Sequence, residues 1–173
     1  MLFRSCFLWH TWFRDVFERE GRGGFDIVIG NPPYIQLQAN GSLLATRYAE
    51  AGYSTFDKRG DIYSLFYELS RRLLAPGGHL CLITSNKWMR AAYGAATRRF
   101  LAAEDTDVLL LLDCAGTKLF ETATVDVNIL LAAASPNRHA TQALTVTPEL
   151  RTCLTDSGVF RLHAACMAFP ADE

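Results

Sequence analysis

The sequence lacks the features of several broad protein classes. Its five cysteines include no C-x-x-C pair, which disfavours a disulfide framework or a zinc site and fits reduced thiols. The four histidines show no metal-ligand spacing, so we expect no bound metal. A formal net charge of -1 gives no sign of the clustered positive charge that nucleic-acid-binding surfaces carry. No apolar run approaches the roughly 20 residues of a membrane span, and the N-terminus lacks a signal-peptide pattern. We therefore expect a cytoplasmic protein.

Half of the 173 residues are hydrophobic, which is enough for the packed core of one domain. Apolar runs alternate with segments of helical spacing, and this order predicts an α/β sheet that is mostly parallel. No helix separates the last two strands, so they are expected to form an antiparallel hairpin. The predicted strands are 25–30, 79–84, 108–113 and 125–133, and the predicted helices are 12–19, 61–73 and 91–103.

Three predictions concern burial, and one concerns a helix cap. The apolar run of the first strand indicates burial on both faces, as in a parallel sheet covered by helices. The helix after residue 60 has Asp61 as its expected N-cap. The residues with helical spacing predict its inward face as Ile62, Leu65, Phe66, Leu69 and Leu73. For the helix 91–103 the predicted inward residues are Ala92, Ala96, Phe100 and Ala103.

The most informative stretch is Asn31, Pro32, Pro33 and Tyr34, directly after the first strand. Open α/β sheets bind ligands at the carboxyl ends of their strands. Asn31 and the Pro32 carbonyl can accept hydrogen bonds from an amino group, while the prolines stiffen the loop. Tyr34 offers a flat ring on which a planar substrate can stack. The pattern suits methylation of an exocyclic or amide nitrogen, and the alternative is a proline turn that merely ends a strand.

The chain resembles the γ-class adenine-specific DNA methyltransferases, including the catalytic domains of type IIG restriction-modification enzymes. The resemblance covers about residues 9–134, and the Asn-Pro-Pro-Tyr loop is its most specific part. The stretches that carry it are Phe25–Tyr34, Gly60–Glu68, Gly77–Gly78, Ser85–Trp88 and Lys118–Phe120.

The resemblance implies a Rossmann-like fold and methyl transfer from S-adenosylmethionine to a flipped adenine in DNA. It implies that Asn31 and Pro32 bind the target amino group and that Tyr34 and Phe120 stack on the two faces of the base. The cofactor is expected to contact Asn31, Ile62 and Phe66. Ordinary core packing remains an alternative for Ile62, Phe66 and Phe120.

In that family a Gly-rich cofactor loop precedes the Asn-Pro-Pro-Tyr loop, and no strand with such a turn precedes Phe25 here. We therefore expect a fragment with little activity alone, whose cofactor site is completed by an upstream chain or domain. Residues 1–134 are expected to form a partial catalytic domain with an apolar edge at the first strand. Residues 135–173 are expected to be an irregular tail or the start of a target-recognition region. Methylation of protein glutamine or RNA, and a non-catalytic remnant or assembly module, remain alternatives.

Overall fold

The computed structural model describes residues 8–39, 41–116 and 125–147, which form one five-stranded sheet with helices packed on one face. Within these ranges no helix is both long and apolar enough to cross a membrane. The strands are β1 Phe25–Gly30, β2 Leu74–Ser85, β3 Asp107–Asp113, β4 Val127–Ala133 and β5 Gln142–Thr145. The helices are α1 Trp9–Trp12, α2 Arg14–Phe17, α3 Leu43–Ala49, α4 Tyr63–Leu73 and α5 Ala95–Leu101, with 3-10 helices at Asn86–Met89 and Ala92–Gly94.

The strands lie in the order β1-β2-β4-β3-β5. β1 is parallel to β2 and β3 is parallel to β5, whereas β4 lies between β2 and β3 and is antiparallel to both. Four strands therefore point the same way, which confirms the predicted mostly parallel sheet with an antiparallel hairpin. β5 was not predicted, because its four residues carry only two apolar side chains. It continues the sheet past residue 135, so the expectation of an irregular tail was wrong for residues 142–145. The domain division at 134 stays a prediction.

β1 has the predicted position along the chain but not the predicted burial. It lies at one end of the strand order, and its side chains alternate between the two sheet faces. Val28 packs into the core beneath the helices, while Ile27 and Ile29 point to the other face and are 69% and 77% exposed. The expectation of burial on both faces was therefore wrong, and the expected apolar edge is present.

The apolar spacing of helix α4 predicted its buried face only in part, since Leu65 and Leu73 are buried as expected. Tyr63 and Tyr67 are fully buried against β2 and β4, whereas Phe66 and Leu69 are only partly buried. The tyrosines can face inward because their hydroxyls find polar partners there, such as Thr84 for Tyr67. Asp61 is also not an N-cap: the helix begins at Tyr63, and the preceding residue makes no side-chain cap bond.

The helix predicted over 91–103 is interrupted near its start. A Cβ at Gly94 would lie 1.8 Å from the carbonyl oxygen of Trp88, so the chain passes itself here at a distance that only glycine permits. A 3-10 turn precedes this crossing and α5 follows it. The inward residues also differ from the prediction, since Thr97 and Leu101 are buried and Ala92 is exposed.

Glu68 fixes the long connection between β1 and α4. Its carboxylate, on a residue that is 3% exposed, accepts hydrogen bonds from the Ser54 hydroxyl at 3.0 Å and from the N–H and hydroxyl of Thr55 at 2.9 and 3.1 Å. Arg72, one turn later on α4, pairs with the same carboxylate. Burial by itself raises the pKa of Glu68, but the hydrogen bonds from Thr55 and Ser54 outweigh it and hold the pKa below its usual value.

Glu68→Gln is expected to lower the free energy of unfolding at neutral pH by about 1 to 3 kcal/mol, because a neutral amide cannot accept all these bonds. A carboxyl with a lowered folded pKa stabilises the fold above its unfolded pKa, and this contribution is lost as the pH falls through the folded pKa. Urea unfolding from neutral to acid pH should therefore show the difference between the native chain and the variant shrinking. Glu50→Gln at an exposed position is the control. A pH-independent difference would contradict the charged role of Glu68.

Candidate functional site

The Asn31–Tyr34 loop leaves the sheet at the carboxyl end of β1, beside the paired β2 residue Leu82. Asn31 is exposed and Pro32 is buried. Among the described residues, none hydrogen-bonds to the Asn31 side chain, so its amide is available to a substrate. The loop holds its shape through the fixed φ angles of the two prolines.

Tyr34 lies half-buried behind this amide. Its ring meets the ring of Tyr63 edge to face, with centroids 6.0 Å apart and planes at 85°. Its hydroxyl donates a long hydrogen bond of 3.4 Å to the carbonyl of Ile83 on β2. Burial raises the pKa of the Tyr34 phenol, so the group is a neutral hydroxyl at physiological pH. The ring is thus held by its contact with Tyr63 and by the hydrogen bond of its hydroxyl.

A buried polar network fixes the segment that follows β2. The side-chain oxygen of Asn128 accepts hydrogen bonds from the Thr84 hydroxyl and from the Trp88 indole N–H, both at 3.0 Å. The Tyr67 hydroxyl bonds to Thr84 at 2.8 Å. Sequence reasoning assigned no role to Asn128, although a single amide within the apolar run of β4 is a signal for such a network.

Two predicted cofactor contacts meet at one cavity and a third does not. Asn31 and Phe66 both line a cavity of about 280 Å³ between β1 and α4, together with Pro32. Ile62 instead packs against the separate cluster that contains Leu37. A larger cavity of about 570 Å³ beside α5 contains none of the predicted site residues.

Phe120 lies outside the described residues, but residues before and after its segment belong to or pack on the same cluster as Tyr34. Val125, just after the segment, packs against the same buried cluster as Tyr34, and Cys114 belongs to that cluster. Asp126 joins the two sides, because its carboxylate accepts a hydrogen bond from Gly116 N–H at 3.0 Å. In the described ranges no group of His, Cys, Asp or Glu side chains could hold a metal ion.

Comparison with known proteins places this loop in a family. Residues 3–120 match the family described as Eco57I restriction-modification methylase. The Type II methyltransferase M.XhoI of Xanthomonas vasicola is 35% identical over 96 residues, which are 56% of this chain and 17% of that protein. M.PaeR7I of Pseudomonas aeruginosa is 35% identical over 103 residues, which are 60% of this chain and 18% of that protein. The chain thus spans less than a fifth of the length of these curated relatives.

Solved structures agree on the fold. A Listeria monocytogenes protein described as a class I S-adenosylmethionine-dependent methyltransferase matches with a TM-score of 0.58 and 17% identity, over 84% of this chain and 42% of that one. The type IIG restriction endonuclease BpuSI matches with a TM-score of 0.54 and 17% identity, over 71% of this chain and 15% of that one. The sheet is therefore of the S-adenosylmethionine-dependent methyltransferase type. Because the family match extends over more than half of the 173 residues, this chain belongs to the Eco57I restriction-modification methylase family.

Proposed function

We propose that this chain is the base-receiving part of a methyltransferase that transfers a methyl group from S-adenosylmethionine to the N6 amino group of adenine in DNA. The observation that carries the proposal is the Asn31–Tyr34 loop at the carboxyl end of β1, with its unengaged amide and supported aromatic ring. Membership of a restriction-modification methylase family supports the same activity.

The chemistry needs hydrogen-bond acceptors at the target nitrogen. The lone pair of an exocyclic amine is conjugated with its ring, so the nitrogen is a poor nucleophile. Acceptors that hold both N–H bonds draw that lone pair out of conjugation. The side-chain oxygen of Asn31 and the backbone carbonyl of Pro32 are the acceptors in this proposal. Because the prolines fix the loop before substrate arrives, little reorganisation is needed in the transition state.

The target base must leave the double helix before its amino group can reach this loop. Enzymes that modify bases extrude the nucleotide and hold the free base against flat side chains. Tyr34 serves as one such surface, and Phe120 is proposed as the other. The common cluster beneath Tyr34 and the ends of the Phe120 segment supports this pairing.

The cofactor site is only partly supplied by this chain. Asn31 and Phe66 would hold part of S-adenosylmethionine at the small cavity. Ile62 packs against a different cluster, so its proposed contact with the cofactor would lie outside this cavity. When bound, the cofactor supplies an electrophilic methyl group. The described residues lining the cavity include no charged side chain, although the amino-acid end of the cofactor carries two charges. Partners for those charges are expected from another polypeptide.

We infer that this further polypeptide, upstream in the same chain or separate, docks at β1. Two observations support it: the exposed Ile27 and Ile29 on the outermost described strand, and the small share of each relative that this chain spans. The net charge of -1 supports a related inference, that another segment supplies much of the grip on the DNA phosphates.

The proposal is tested by offering labelled S-adenosylmethionine to the chain combined with the polypeptide encoded upstream of it. DNA, RNA and protein are offered as competing acceptors. Label is expected in DNA, and preferential label in protein or RNA would overturn the assignment. Titration of the cofactor onto the isolated chain gives a separate check, because tight binding would contradict an incomplete cofactor site.

Tyr34→Ala is expected to weaken the binding of DNA that carries an extruded adenine. The loss should correspond to about 1 to 3 kcal/mol, the typical contribution of base stacking on an aromatic ring. Tyr34→Phe keeps the ring and should bind almost normally. Fluorescence titration with a duplex containing 2-aminopurine at the target position measures both. Equal losses in the two variants would show that the hydroxyl, and not the ring, is what matters.

A further inference from the structure

The geometry points to Tyr93 as a positioning residue that sets the orientation of Tyr34 and thereby of the bound base. The inference rests on the proposed function only in assigning the base to Tyr34. Tyr93 lies in the 3-10 helix Ala92–Gly94, far from the Asn31–Tyr34 loop in sequence. Its hydroxyl reaches that loop by two routes.

The first route passes through Tyr63. The hydroxyls of Tyr93 and Tyr63 share a hydrogen bond of 3.1 Å. Tyr63 is fully buried, and its ring meets Tyr34 edge to face at a centroid distance of 6.0 Å. A buried hydroxyl is destabilised when it loses the acceptor of its hydrogen bond, so the Tyr63 ring follows the position of Tyr93. Tyr34 in turn rests on that ring.

The second route passes through Asp61. The Tyr93 hydroxyl donates to the carboxylate of Asp61 at 3.3 Å, so Tyr63 is the donor in the bond that it shares with Tyr93. Asp61 forms an antiparallel bridge with Gln36. The bridge is flanked by backbone hydrogen bonds of 2.9 Å from Leu37 N–H to Gly60 C=O and from Ile62 N–H to Ile35 C=O. Asp61 therefore holds the chain immediately after Tyr34.

Three features of the surrounding chain place the Tyr93 hydroxyl at this junction. Gly94 allows the backbone to pass against Trp88, where a Cβ would collide with the carbonyl oxygen. A Cβ at Gly60 would lie 3.4 Å from the Tyr93 ring, so the ring packs directly on that glycine. Arg98 donates to the carbonyls of Trp88 and Ala91 at 2.6 and 3.0 Å and closes the turn that carries Tyr93. The contacts of the segment that carries Tyr93 thus fix the position of its hydroxyl.

The test is fluorine NMR of the full chain labelled with 3-fluorotyrosine. The six tyrosines give six signals, which single Tyr→Phe variants assign. Tyr93→Phe removes only the hydroxyl and is expected to move the Tyr34 and Tyr63 signals by more than their linewidths. Asp61→Ala is expected to move the Tyr34 signal as well. Because both variants break the same junction, the double variant should move that signal less than the sum of the two single shifts.

Tyr53→Phe is the matched control, because Tyr53 belongs to a different cluster and should leave the Tyr34 signal in place. An unmoved Tyr34 signal in Tyr93→Phe would overturn the inference. So would a shift of every signal together with a lowered melting temperature, which indicates a general loss of stability. When the polypeptide proposed to dock at β1 is present, a native Tyr34 signal that does not respond to DNA would instead count against the proposed function and leave the link between Tyr93 and Tyr34 intact.

Discussion

Asn31→Ala is expected to lower the rate of methyl transfer to DNA by about 10²-fold or more, the usual effect of losing one preorganised hydrogen-bonding group that acts in the transition state. The amide is exposed at the carboxyl end of β1, and none of the described residues hydrogen-bonds to its side chain, so its proposed partner is the target amino group. Turnover is measured on the chain combined with the polypeptide proposed to dock at β1. Cofactor affinity, measured by calorimetry on the same complex, should fall much less than turnover, because Asn31 is one of several residues that line the cavity proposed for the cofactor.

Gln38→Ala is the control for this variant, since Gln38 is another exposed amide on the same connection. It should leave turnover unchanged. Near-normal turnover in Asn31→Ala would remove the amide from the mechanism. A large loss of cofactor affinity with unchanged turnover at saturation would assign Asn31 to cofactor binding alone.

Asn128→Ala is expected to have the largest effect on folding. The change leaves the Trp88 indole N–H without its acceptor and removes one partner of the Thr84 hydroxyl, in a site from which water is excluded. Each unsatisfied buried group costs about 1 to 3 kcal/mol, and the lost side-chain volume adds to this. The free energy of unfolding should therefore fall by more than about 2 kcal/mol. Chemical denaturation of the chain measures it.

Asn137→Ala is the matched control for Asn128. Asn137 is only partly buried, and its side chain donates a hydrogen bond of 3.3 Å to the Ala103 carbonyl and accepts one of 2.9 Å from the exposed His139 N–H. Its replacement should cost about 1 kcal/mol or less. Equal losses at the two positions would contradict the special role of the network beneath β2 and β4. A shift of tryptophan fluorescence in Asn128→Ala, without one in Asn137→Ala, would indicate that the change acts at the hydrogen bond between Asn128 and the Trp88 indole.

The loop that carries the proposed activity could be predicted from the sequence because its information is local. Two prolines between an amide and an aromatic ring, directly after an apolar strand, leave few other interpretations. The strand β1 and the hairpin of β3 and β4 were predicted for the same reason, since each is a continuous apolar run. Elements that are encoded by such local patterns form irrespective of the tertiary contacts around them.

The side of each helix that packs against the sheet was not predictable, because it depends on contacts with residues that are distant in sequence. Tyr63 and Tyr67 face the sheet because their hydroxyls find hydrogen-bond partners in the core, such as Thr84 for Tyr67. The spacing of apolar residues had predicted Phe66 and Leu69 on that face as well. The break before α5 follows from the contact of Gly94 with Trp88, which no periodicity reveals.

The contacts of the site show the same limit. Aspartate is a residue type that favours the N-cap position. The carboxylate of Asp61 instead accepts a hydrogen bond from Tyr93, 32 residues later. Asn31 and Phe66 meet at one cavity, whereas Ile62, one turn before Phe66, faces another cluster. A motif thus indicates the proposed site residues, while the residues that support them follow from the fold.

The most direct test of the central claim is mass spectrometry of nucleosides from DNA treated with deuterium-labelled S-adenosylmethionine. The chain is combined with the polypeptide proposed to dock at β1, and Asn31→Ala serves as the comparison. We expect the labelled methyl group on N6-methyldeoxyadenosine with the native chain and almost none with the variant. Label on cytosine, or equal label on adenine in both samples, would contradict the account.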